Sequence, residues 1–104
     1  MLTIQTNQYE NLIHGEKPVL IEFWAPWCVY CRRIAPSLET IANQQEAVLV
    51  GQVNIDEEPT LAEREKIEVI PTLLLYQKGK LLGRIVNPES RAKIEAFVKE
   101  SLGG

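Results

Sequence analysis

The stretch "EFWAPWCVYCRR", residues 22–33, holds both cysteines of a 104-residue chain, three positions apart. It opens inside an apolar run, "PVLIEFWA" (18–25), that reads as a strand buried on both faces. It closes on a segment whose apolar residues Ile34, Leu38 and Ile41 recur at i, i+4 and i+7, the period of a helix. The pair therefore sits at a seam between strand and helix. Cys28 falls at the helix N-terminus, where unpaired N–H groups and the helix dipole favour a thiolate. Cys31 lies one turn further in, within bonding reach of Cys28 and shielded from solvent. An exposed thiol of low pKa beside a resolving thiol carries out disulfide exchange through a mixed disulfide.

Other uses of the pair stay open on the residues alone. A structural disulfide over so short a loop would add little stability, and a reducing compartment would not keep it closed. A metal or iron–sulfur binding module is the rival of a different class. Zinc takes about four ligands, and the chain offers two cysteines and one histidine. His14 stands beside Gly15, where it is expected to cap a helix end, so no metal site is assigned. A thiol oxidant would use the same two sulfurs with the electrons flowing the other way, and an isomerase would use them with no net flow.

Working outward, the length suits one domain spanning 1–104. Eleven basic against fourteen acidic residues give a net charge of −3, with no basic stripe to neutralise phosphates, so nucleic acid is not an expected partner. The opening "MLTIQTNQYE" lacks the basic and apolar regions of a signal peptide. No apolar run is long enough to span a bilayer. A cytoplasmic protein with no membrane partner is expected.

The elements follow from pattern and punctuation. Leu2 to Thr6 reads as a short strand. Asn7 and Glu10 have capping-box spacing for a helix that Gly15 ends. "AVLVGQVNID" (47–56) is a second buried strand, and "EEPTLAEREKI" (57–67) a short helix with acids at its positive end. Pro71 opens the strand "TLLLYQ" (72–77), and Lys78-Gly79-Lys80 turns it into "LLGRIV" (81–86) as a hairpin. Asn87 and Pro88 mark the cap and first position of a last helix, with Ile94, Phe97, Val98 and Leu102 on its apolar face. Pro36 should kink the helix that follows the cysteines. The order βα, βα, βα, ββα predicts an α/β domain with helices covering a mixed sheet.

"FWAPWCVYC" (23–31), "NID" (54–56) and "IPTLLLY" (70–76) together resemble the thioredoxin family, over a similarity running from Leu2 to about Leu102. The resemblance implies the thioredoxin fold, a central mixed β-sheet of about five strands flanked by four helices. It implies a protein disulfide reductase acting as a monomer on disulfide-containing client proteins. The NADPH-dependent flavoprotein thioredoxin reductase would recharge it. No bound cofactor is needed, because the electrons reside in the Cys28/Cys31 pair. Residue by residue, it makes Cys28 the attacking nucleophile, Cys31 the resolving thiol and Pro71 a cis-proline across from them. The backbone of Ile70 would pair with a bound substrate strand, and Trp27, Val29 and Tyr30 would line the substrate side of the site.

Glu22 falls where that family carries a buried aspartate. A carboxylate in a strand buried on both faces costs free energy unless it has a partner or a function. It is expected to be a general base, its pKa raised by burial, that takes the Cys31 proton through a water. The other reading is an edge-strand residue whose side chain reaches water. Three positions depart from the family pattern: Val29-Tyr30 replaces Gly-Pro, Gln52 replaces a lysine, and Asn87 replaces a glycine. Tyr30 brings a backbone N–H that proline lacks, one more donor able to point at Cys28. Asp56, Glu57 and Glu58 read as a solvated helix start. Arg32 and Arg33 read either as thiolate-stabilising cations or as surface charge.

Overall fold

The computed structural model describes residues 1–103. The chain runs β1 (Leu2–Thr3), α1 (Thr6–Ile13), β2 (Val19–Trp24), α2 (Val29–Gln44), β3 (Leu49–Asn54), α3 (Pro59–Arg64), β4 (Thr72–Gln77), β5 (Lys80–Val86) and α4 (Arg91–Ser101). The five strands form one sheet in the order β1-β3-β2-β4-β5. β1, β3 and β2 run parallel, while β4 is antiparallel to β2 and β5 to β4. The expected mixed five-stranded sheet with four helices is what forms.

Strand alternation divides the core into two layers. Val19, Ile21 and Phe23 of β2 point to one side with Val53, Leu74 and Tyr76, where Tyr9 and Ile13 of α1 and Leu61 of α3 cover them. Leu20 points to the other with Val50, Leu73 and Leu75, under Ile34, Leu38 and Ile41 of α2 and Ile94 and Val98 of α4. β2 is central and buried on both faces, which is why its sequence is continuously apolar. Gly51 is required where β1 leads into the core: a Cβ there would lie 2.5 Å from Ile4 Cδ1. Lys78 and Gly79 both take positive φ (52° and 78°), the two-residue turn that matches the twist of a hairpin.

Several boundaries differ from the sequence reading, each for a local reason. β1 is only two residues long. α1 is capped by Gln5 rather than Asn7: the Gln5 N–H donates to Gln8 Oε1 at 3.0 Å, and the Thr6 N–H donates to Glu58 Oε1 at 2.9 Å. A carboxylate distant in sequence thus supplies the cap. α3 starts at Pro59 and stops at Arg64, since Lys66 enters the left-handed region (φ 55°). α4 starts at Arg91, not at Pro88, because the Ser90 side chain accepts the Lys93 N–H at 3.2 Å. Asn87 is not its cap; it takes φ 47° and donates its N–H to the Pro71 carbonyl at 2.8 Å. Leu102 lies beyond α4, 41 % exposed, outside the core. α2 carries Pro36 within it and runs on through that residue as one element. His14 is the C-cap of α1 as expected, with Nδ1 2.8 Å from the Glu10 carbonyl oxygen.

Candidate functional site

β2 delivers the chain through Ala25, Pro26 and Trp27 to the N-terminus of α2, and Cys28 is the residue at that cap. Its own N–H bonds to the Ala25 carbonyl at 3.1 Å, and its carbonyl accepts the Arg32 N–H at 3.2 Å. Its sulfur accepts the Cys31 N–H at 3.1 Å. Cys28 and Cys31 form a disulfide with their Cα atoms 5.2 Å apart. The backbone N–H that reaches Cys28 Sγ is therefore that of Cys31 itself, not the one Tyr30 adds. Cys28 is 6 % exposed and Cys31 2 %, so in the disulfide form the first sulfur is more sheltered than an exposed nucleophile. Ala25, with Trp24, Ile55 and Ile70 packed alongside, makes up the small apolar cluster around them.

The loop before β4 closes the site from the other side. Ile70–Pro71 is a cis peptide, as the resemblance implied, and the Ile70 carbonyl oxygen lies 3.8 Å from Cys28 Sγ. Among the described residues, no other backbone group bonds the N–H or the C=O of Ile70. That leaves an edge on which an extended peptide can pair, the mode in which main-chain groups give affinity. Asn87, at the end of β5, holds the Pro71 carbonyl. Its left-handed φ explains why a glycine suits this position and why asparagine can replace it.

Trp27 is 64 % exposed and Tyr30 52 %, with Val29 and Val69 exposed as well. The Trp27 indole N–H donates to Asp56 Oδ2 at 2.9 Å, and the Asp56 N–H in turn donates to Asn54 Oδ1 at 2.9 Å. Asp56 is thus more than solvated charge: it orients the large aromatic beside the disulfide. Nothing in the acid run at 56–58 set it apart from its neighbours. The Arg33 guanidinium carbon lies 5.1 Å from the centroid of the Tyr30 ring, a cation over an aromatic face.

Glu22 is 1 % exposed, in the middle of β2 and not at an edge. It shares the face of Leu20, the one that α2 covers. Its register partner on β3 is Gln52, whose Nε2 donates to Glu22 Oε1 at 3.0 Å. Among the described residues, Oε2 has no hydrogen-bond partner. Burial pushes the carboxyl up from the ordinary 4.5 to about 7, against the smaller opposing effect of the Gln52 bond. Where a lysine would supply charge, Gln52 supplies a single neutral hydrogen bond. Among the described residues, no group of three or more His, Cys, Asp or Glu side chains is placed to hold a metal ion, so the metal-binding alternative gains no support.

A family model described as "Thioredoxin" matches residues 1–100. A thioredoxin of Acidithiobacillus ferridurans is 39 % identical over 104 residues, covering 98 % of this chain and 96 % of that one. A bifunctional thioredoxin reductase/thioredoxin of Mycobacterium leprae is 37 % identical over 87 residues, 83 % of this chain but 19 % of the longer protein. Among solved structures, a thioredoxin of Malassezia sympodialis superposes with a TM-score of 0.89 at 27 % identity, covering 97 % of this chain and 90 % of that one.

Proposed function

The chain belongs to the thioredoxin family, and on that premise we propose how its residues divide the reaction. It is a thiol–disulfide oxidoreductase that reduces protein disulfides. In the dithiol state Cys28, stabilised as a thiolate at the start of α2, attacks one sulfur of a client disulfide. A mixed disulfide forms and the client's other sulfur leaves as a thiolate. Cys31 then gives up its proton and attacks Cys28 Sγ. The Cys28–Cys31 bond closes, the second client sulfur is released, and two electrons have passed to the client. Glu22 is the base for the Cys31 proton. Burial brings its pKa close to neutrality, where it can both accept and return a proton. Ile70 pairs with the client backbone, Pro71 fixes that loop, and Trp27, Val29 and Tyr30 meet the client side chains.

The closed disulfide is then reduced by an NADPH-dependent flavoprotein thioredoxin reductase, the partner class that the two-part name of the Mycobacterium leprae relative supports. The chain acts as one domain and as a monomer in the cytoplasm. Among the described residues, no helix is long and apolar enough to cross a membrane.

One observation carries the assignment of roles: Cys28 Sγ sits at the helix cap and accepts the Cys31 N–H while bonded to Cys31. Iodoacetamide at neutral pH should therefore label Cys28 of the reduced protein far faster than Cys31. Cys31→Ser should accumulate mixed disulfides with clients and Cys28→Ser none. Equal labelling of the two thiols would overturn the assignment.

A further inference from the structure

We infer that Arg33, held over the Tyr30 ring, is a specificity-determining residue that favours client disulfides flanked by a carboxylate; this rests on the disulfide-reductase reading above. Tyr30 lies between the two cysteines, half-exposed at the rim of the site. Arg33 follows it by three positions on α2, so the two side chains share a helix face. The guanidinium carbon sits 5.1 Å from the ring centroid. A cation stacked this way is confined in direction before any client arrives, which lowers the entropy lost when it engages one. The contact is made through the guanidinium's charge over the ring and uses none of its N–H donors on another side chain, so the fork that matches a carboxylate bidentately stays available.

Arg32 and Arg33 both follow the cysteines and are exposed, and Arg33 is the one held over an aromatic ring. Among the described residues, every ion pair formed by Lys or Arg involves other side chains, and no carboxylate lies within 4.0 Å of Arg33. The carboxylate beside the site, Asp56, is already engaged by the Trp27 indole N–H at 2.9 Å. The chain as a whole carries a net charge of −3, which disfavours acidic clients at long range. A local, oriented cation on α2, two positions after Cys31 and over the ring of the residue between the cysteines, is what reverses that disfavour at the rim. The ligand class is a peptide with Asp or Glu next to its disulfide cysteine.

The test is stopped-flow reduction of three model peptide disulfides that differ in one residue beside the cysteine, Glu, Gln or Lys. The fully reduced protein is used, at low and at high salt. The Glu peptide should react about three- to fivefold faster than the Gln peptide at low salt, and the Lys peptide slower, as for an exposed rim charge. High salt should shrink these ratios. Arg33→Gln, which keeps a good helix former on an exposed helix position, should bring the Glu-to-Gln ratio to about one. Tyr30→Leu, which removes the ring but leaves the cation, should give an intermediate ratio. An unchanged ratio in Arg33→Gln overturns the proposal. A parent that fails to reduce even the neutral Gln peptide would overturn the reductase reading instead, a result separable from lost selectivity.

Discussion

Replacing Glu22 with glutamine keeps the shape of the side chain and removes its charge, so it isolates what burying this acid does. In the folded protein the carboxyl holds its proton up to about 7, while in the unfolded chain it releases it near 4.5. Between those values the native state binds more protons than the unfolded state. Stability must therefore fall as pH rises through this window, and level off above it. Stability associated with the protonated form is fully present below 4.5 and gone above about 7. At about 1.4 kcal/mol per pH unit, the interval corresponds to about 3 kcal/mol. Glu22→Gln has no such titration. Its amide N–H₂ would replace the oxygen that has no partner, and the unpaired donor adds an offset of about 1–3 kcal/mol that does not depend on pH. The slope is thus the readout. Urea unfolding of the oxidised parent and variant at half-unit steps from pH 4.5 to 8 should show their difference change by about 3 kcal/mol in the variant's favour as pH rises. The kinetic counterpart is slower release of the mixed disulfide near neutral pH, with attack by Cys28 changed less. A parent-minus-variant difference that stays constant over the whole range would refute the reasoning.

Tyr9 and Tyr76 both donate to Glu65 Oε2, at 2.5 and 2.7 Å, so Tyr76→Phe should lower stability by about 1–2 kcal/mol. Combined with Glu65→Gln, it should cost less than the sum of the two single changes in urea melts, because the groups share one acceptor. Gly51→Ala should cost about 1–3 kcal/mol by pressing a methyl against Ile4, and Ile4→Val should recover part of that loss in the same melts. Val29→Gly combined with Tyr30→Pro should change the reduction potential, measured against glutathione, only slightly. The shift should stay at or below about 20 mV, since the Cys31 N–H that reaches Cys28 Sγ is retained; a larger shift would show that the dipeptide sets the potential by another route.

The sheet and the cysteine seam were legible in the sequence because their signals are local. A continuous apolar run declares β2, a 3.6 period declares α2, and the thiols mark where one becomes the other. What escaped was set by residues far apart in the chain. Asn7 had a good spacing for a cap, but Glu58, 52 residues from Thr6, supplied the bond that lets α1 start earlier. Asn87 followed by Pro88 looked like a helix start, yet the Asn87 N–H is drawn to the Pro71 carbonyl and α4 waits for Ser90. The same limit hid part of the site. That Asp56 would orient Trp27 depends on how the end of β3 is laid beside the start of α2, and that Arg33 would lie over Tyr30, a local i, i+3 pair, depends on their rotamers. Glu22 was readable as an anomaly in an apolar strand; that Gln52 would be its direct partner required the register of β2 against β3.

Glu22 and Gln52 are best understood as one device. A buried carboxylate beside a lysine would be held ionised, since an opposite charge within hydrogen-bonding distance lowers its pKa. Such a base is always available but returns its proton reluctantly. An amide in the same position fixes the orientation of Oε1 without contributing charge, so desolvation decides the pKa and carries it to about 7. In the role proposed above, the group would then accept and return a proton near neutral pH. Oε2, with no partner among the described residues, would be the atom to carry that proton. The cost is the stability lost as pH rises to neutrality, and the apolar layers on both faces of β2 offset it. Gln52→Lys should therefore do two things together: lower the pH at which Glu22 titrates, seen in the carboxyl resonance or the pH profile of release, and raise stability at pH 7 relative to pH 5. If the titration moves and the stability profile does not, the carboxyl is not the group that links pH to folding.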